Sequence, residues 1–322
     1  MPCTYPNGLG ELDLNLNGVV SDAGNQTPFS IHFDDAPTVY VPGQPAPGSS
    51  TVRQLEQTMA SLSAVNPYTM LSESLYGNGL GPALQGAIAD PVAQALIHMN
   101  TVADPAREPT FTFFGDPNFF FQSFGSHVPV INPNFAWNHG DIQPQIGRTF
   151  LAMAGPGVRN LGVTQPDDFF TDHVDLRPTM MLLTGLTDDY QSDGRVILEM
   201  LDPNILPSSL HAHTATLRRL GQIYKQINAP FGQLAQSTLT VSTFAIVSTS
   251  PSDATYTNLE NKIASWTAQR NALTAQIQSM LEGAEFNGQA INEQQAKQII
   301  SQAQSLLDQA SACASNPGSC GS

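Results

Sequence analysis

Thr149-Phe150-Leu151-Ala152-Met153-Ala154, closed by Gly155-Pro156-Gly157, is the stretch on which the fold turns. It is apolar almost throughout, as strands covered on both faces of a sheet are. The run predicts an interior strand over 149–154. Downstream, Thr171 to Leu186 reads as a capped helix. Asp175 and Arg177-Pro178 mark its start, and Met180, Leu183 and Leu186 its buried face. Upstream lie short apolar segments cut by turn signals. They are Thr110–Phe114, stopped by Gly115-Asp116-Pro117, then Phe119–Phe121 and Val128–Ile131. Strands alternating with helices indicate an α/β class, with 110–200 forming part of a parallel-rich sheet.

Further out towards the amino end, Leu12-Asp13-Leu14-Asn15-Leu16 alternates like a half-buried strand, and Thr38–Val41 is a second strand. Ser50 to Ala64 carries Val52, Leu55, Met59 and Leu62 on one helical stripe. Residues 65–90 are punctuated by Gly and Pro and read as loop. Asp90-Pro91 opens a short helix ending near Met99. After Pro207 the character becomes helical, over Ser208–Ile227 and Leu234–Val247. Leu259, Ile263, Trp266, Arg270, Leu273, Ile277 and Met280 then recur at alternating spacings of four and three. That is a heptad seam holding one long-stemmed arginine. Gly283 ends this helix. Asn292 with Gln295 resembles a capping box, opening a second seam of Ala296, Ile299, Ala303, Leu306 and Ala310. The expected organisation is an α/β domain over 1–205 and a helical region over 206–314. The latter holds an antiparallel hairpin (255–282 and 292–312), and a disordered tail follows over 315–322.

Twelve basic against 27 acidic residues give a formal charge of −15. Such a chain excludes the phosphate backbone of nucleic acids and anionic membrane surfaces as partners, because both require clustered Lys and Arg. No apolar run reaches the ~18 residues of a membrane span. The first residues carry neither a basic region nor an apolar one, so they do not read as a signal peptide. The low lysine content suits an extracytoplasmic or secreted protein. Three cysteines make no disulfide framework. Cys313 and Cys320 are close enough for a small loop, and incidental thiols are the equal alternative.

Two places carry chemistry. In Phe135-Ala136-Trp137-Asn138-His139-Gly140-Asp141 an imidazole follows an aromatic and precedes a glycine, with Asn138 and Asp141 near. His, Asn and Asp at this spacing suit a metal or phosphate. In Thr171-Asp172-His173-Val174-Asp175 two acids flank a histidine. The pattern fits metal ligands. It also fits a helix N-terminus with Thr171, Asp172 and Asp175 capping free amides, which is the favoured reading. His211 and His213 read as solvated, His98 as a helix-end cation, and His32 as a polar group in a strand.

The stretch from His139-Gly140 to Gly155-Pro156-Gly157-Val158 resembles the last metal-ligand segment of the alkaline phosphatase superfamily, in its type I phosphodiesterase/nucleotide pyrophosphatase branch. Asp172–Thr179, with Leu182, Leu183, Gly185 and Leu186, is similar to that superfamily's structural helix, and Asp193-Gly194-Arg195 to the turn after it. Phe113–Phe121 resembles the strand and aromatic turn before the last histidine. The resemblance is good over 110–200, thin over 11–60, and does not reach the helical hairpin. It implies a partial alkaline-phosphatase-like sheet and hydrolysis of phosphate esters by a complete bacterial enzyme. It also implies two divalent metals, usually zinc, with His139 as one ligand in a cleft walled by Trp137. The family's nucleophile and other ligands come earlier in the chain, and no such motifs stand before His139. Asp172-His173 follows His139, the wrong order for the paired ligands. One ligand does not hold a catalytic metal. The resemblance therefore implies the C-terminal half of such an enzyme. On that reading the chain alone is inactive and metal-free, and its partner is a missing N-terminal half. A binding or structural protein contacting a partner through the hairpin is the alternative.

Overall fold

The computed structural model describes residues 8–76, 86–100, 104–133, 140–165, 168–187 and 190–320. In chain order the first elements are β1 (Glu11–Asn15), α1 (Leu16–Asp22), β2 (Ser30–His32), β3 (Thr38–Tyr40) and α2 (Ser50–Ala60). Then come β4 (Ser63–Val65), β5 (Ser72–Ser74), β6 (Ala87–Ala89), α3 (Pro91–Leu96), β7 (Phe111–Phe114), β8 (Phe119–Gln122), β9 (Val130–Asn132) and α4 (Pro144–Gly147). The remainder is helical: α5 (Leu176–Thr184), α6 (Ser208–His211), α7 (Thr214–Asn228), α8 (Gln233–Val247), α9 (Ala254–Glu285), α10 (Glu293–Ser315) and α11 (Pro317–Cys320). The chain is thus of mixed α and β content with a helical C-terminal region.

Two compact units divide it. The first holds residues 1–149, 236–264 and 313–322, and the second 150–235 and 265–312. The division falls at Thr149–Phe150, whereas the composition change at Pro207 lies inside the second unit.

The first unit carries every named strand. One sheet runs β8-β1-β9, with β1 parallel to β8 and antiparallel to β9, so that Leu12 faces Phe119 and Leu14 faces Phe121. A second, wholly antiparallel sheet runs β2-β3-β7-β6, and β4 pairs with β5. The parallel-rich sheet expected over 110–200 is therefore not what forms. Its strands belong to mixed and antiparallel sheets that also recruit residues from 11–40. The loop expected over 65–90 contributes β5 and β6, which are too short to show a period. The core is aromatic: Phe111, Phe113, Phe119 and Phe121 are buried, and the rings of Phe113 and Phe121 meet edge to face at 5.3 Å. The helix expected at 50–64 forms over Ser50–Ala60 as α2, capped by Ser49, and its last expected residues enter β4 instead. α3 is capped by Asp90, whose Oδ1 accepts from the amides of Val92 and Ala93. The expected disordered tail is instead closed by a Cys313–Cys320 disulfide around α11, and Lys262 Nζ donates to the carbonyl of Cys320 at 3.1 Å.

In the second unit the run Phe150–Ala154 is neither strand nor buried. The segment is irregular, and Phe150 is 93% exposed. This overturns the interior strand. The physical reason is that an apolar run records what should cover it, and the described residues of this unit supply no neighbouring strand. The helix expected over 171–186 does form, as a 3-10 turn at His173–Asp175 leading into α5 and ending on Gly185 at φ +67. Its expected inner face is only partly used, since Met180 and Leu186 are exposed. Gly194 lies against the carbonyl of Val174, where a Cβ would overlap it. α9 runs on through Gly283 to Glu285, and the carbonyl of Gly283 accepts from Gln289 N. Leu259, Ile263, Trp266, Leu273 and Ile277 of the α9 seam are buried, as are all five named positions of α10. Arg270, the polar member, is buried too and donates to Asn228 Oδ1 at 3.2 Å. Asn292 caps α10, its Oδ1 accepting from Gln295 N.

Candidate functional site

His139, Asn138 and Trp137 fall in 134–139, outside the described residues; Asp141 lies just beyond. Gly140 turns the chain at φ +96 and lies beside the carboxylate of Asp34. Asp34 and Asp35 follow β2, where Asp34 bridges to Phe121. Asp35 and Asp141 are both buried. Asp141 Oδ1 accepts from Ile142 N at 2.7 Å, and its Oδ2 is enclosed without a hydrogen-bond partner. Burial pushes the Asp35 carboxyl up to about 8, and Glu11, Asp141 and Asp34 add to the effect. Burial likewise raises Asp141 to about 7 and, less strongly, Glu11. These carboxylates repel one another. A divalent ion would suit such a charge. Yet among the described residues no three His, Cys, Asp or Glu side chains are arranged to hold one. The residues on view do not by themselves make the zinc site that the resemblance implies.

Thr171–Asp175 has a different job. Asp172 and Asp175 form a capping box, with Asp175 Oδ2 accepting from Asp172 N at 3.1 Å. Asp175 Oδ1 accepts from Arg195 N at 2.9 Å. Lys225, 1% exposed, reaches both acids, at 2.7 Å to Asp172 and 3.1 Å to Asp175. Burial pushes the Asp175 carboxyl up, and Lys225 opposes it. Arg195, of the Asp193-Gly194-Arg195 turn, is buried and bonds Glu199 at 2.8 Å. Both oxygens of Asp175 are thereby engaged within the fold, as a cap requires. His213 lies 3.2 Å from Glu293, and His127 lies 2.8 Å from Asp22.

A third cluster has no counterpart in the sequence reading. In the first unit Arg53 and Glu56 of α2, Asp90, and Tyr256 and Glu260 of α9 are all buried together. The one signal available was an arginine and a glutamate three apart on the apolar stripe of α2, beside Val52 and Leu55. Their partners lie as many as 200 positions away, beyond the reach of any local pattern.

The second unit also holds a cleft of about 140 Å3, walled by Arg177, Tyr190, Gln278, Glu282 and Glu285 among others. Arg177 stacks over the Tyr190 ring at 4.6 Å. The space is well under the ~300 Å3 at which sites for organic ligands begin. Comparison with protein-family models, with curated proteins and with solved structures returned no match.

Proposed function

We propose that this chain is the C-terminal portion of a metal-dependent phosphoester hydrolase of the alkaline phosphatase type. It contributes His139 as one metal ligand and is inactive until joined by a polypeptide bearing the nucleophile and the remaining ligands. In a complete site the metals activate the nucleophile and clamp the phosphate oxygens. This chain's own part is to supply the imidazole of His139, two positions before the buried Asp141 in the sequence.

The observation that carries the reading is the exposed run Phe150–Ala154, ten positions after Gly140. Its composition is that of a strand inside a sheet, and the sheet that would enclose it is absent from the described residues. The alternative, a non-catalytic protein that docks a partner on the helical hairpin, has less to rest on. The apolar seams of α9 and α10 are already buried within the chain.

The test is an assay of the purified chain on a nitrophenyl phosphate diester, with and without zinc. No turnover is expected from the chain alone. Turnover should appear on co-expression with a polypeptide encoded in frame upstream, and Asp…Thr and Asp-His-Gly motifs are expected there. It should then be lost in His139→Ala. Robust turnover by the chain alone would overturn the proposal.

A further inference from the structure

The buried cluster of the first unit does not balance in charge. Arg53 is its one cation among the described residues, and that guanidinium is fully committed. It donates to Glu56 Oε2 and Asp253 Oδ2, both at 2.7 Å, and to the carbonyl of Ile246 at 2.9 Å, and it lies 3.9 Å above the Tyr256 ring. Asp253 is partly solvated. Asp90 and Glu260 remain, buried, with no cation of their own.

Asp90 is well supplied with donors. Its Oδ1 takes the two amides at the start of α3, and its Oδ2 takes the Tyr256 hydroxyl at 2.8 Å. Glu260 has one donor, Ser242 Oγ on Oε1 at 3.2 Å, and its Oε2 is enclosed with none. The two carboxyl groups nevertheless lie within hydrogen-bonding reach of each other. Two ionised carboxylates are acceptors only and cannot bond. The contact closes only when one of them holds a proton. Asp90, with three donors, is the better anion, so the proton resides on Glu260.

We propose that a proton held by Glu260 and donated to Asp90 locks the first turns of α9 to the N-terminus of α3, so that the first unit loosens as pH rises. The groups facing this proton are Arg53 and Glu56 from α2, Asp253 and Tyr256 on either side of the α9 start, and Ser242 from α8. None of them titrates as a cation below neutral pH, so none can replace the proton as a counter-charge. Burial pushes Glu260 well above its ordinary range and raises Asp90, and it takes Glu56 up to about 8. A carboxyl with a raised folded pKa stabilises the fold fully below its unfolded value, near 4.5. The contribution is lost as pH climbs through the folded value. The lock is therefore shut in acid and opens as pH climbs through the raised value.

Thermal unfolding followed from pH 5 to pH 9 tests this, comparing the wild type with Glu260→Gln. The amide of Gln donates to Asp90 at every pH. The variant's stability should lose about one proton's worth of pH dependence, and the infrared carbonyl band of protonated carboxyl should weaken by one group. An unchanged pH slope and an unchanged band would overturn the proposal. Ser242→Ala is the second arm and decides the matter if Glu260→Gln fails to fold. It removes the donor to Glu260, so the pH at which stability falls should move upward. No movement would equally overturn the proposal.

Discussion

Lys225 shows how much one side chain can carry. Its ammonium is buried against Asp172 and Asp175, the two acids that cap the turn into α5. Deleting one partner of a buried pair leaves an uncompensated charge, which costs about 3–5 kcal/mol. Lys225→Met should therefore destabilise the chain by that order in urea unfolding. Adding Asp175→Asn should recover part of the loss, because the orphaned carboxylate is then gone. A loss no greater than a surface substitution gives, about 0.5 kcal/mol, would show the pair to be dispensable. The residues that cap helices were legible in the sequence because a cap is a local device. Asp90 before Pro91 and Asn292 before Gln295 both act where their spacing put them. The Arg53–Asp253 bond was not legible, because nothing in either neighbourhood names the other.

At the level of elements, a matched pair of substitutions separates two kinds of apolar sequence. Leu273 lies in the α9 seam and is buried. Leu273→Asp places a charge in an apolar seam and should cost several kcal/mol, read as a lowered melting temperature with loss of helical circular dichroism. Phe150 is larger and more apolar, yet Phe150→Ser should change stability by no more than about 0.5 kcal/mol in the isolated chain. A large loss at Phe150 would mean that the run is covered in solution. A negligible loss at Leu273 would mean that the seam is misassigned. Heptads were legible because helical periodicity fixes which face is buried, whatever lies opposite. Phe150–Ala154 has no such internal guarantee, since a strand depends on neighbours that its own sequence does not contain. The short strands β4 to β6 were missed for a related reason. Three residues hold too little alternation to show.

Across the whole chain the charge is lopsided. Of the twelve basic residues, Arg53, Arg195, Lys225 and Arg270 are buried, which leaves eight to offset an acid excess that the buried carboxylates reduce but do not remove. Self-repulsion of this kind is screened as the Debye length falls from ~10 Å at 0.1 M salt to ~3 Å at 1 M. Added sodium chloride should accordingly raise the melting temperature at neutral pH. A fall on adding salt would mean that surface ion pairs such as Lys297–Glu293 outweigh the repulsion. Charge and composition were readable from the first, and they bounded the partners. The site was readable only in part. Asp141 could be named, whereas Asp34 and Asp35 reach Gly140–Asp141 through the pairing of strands far apart in the chain; His139 lies outside the described residues.

The contact between Gly194 and the carbonyl of Val174 has a consequence at the level of the gene. Every first- or second-base change in a glycine codon that still encodes an amino acid introduces a Cβ, and a Cβ at this position overlaps backbone rather than a side chain that could swing aside. Natural variation at codon 194 should therefore be confined to the third base.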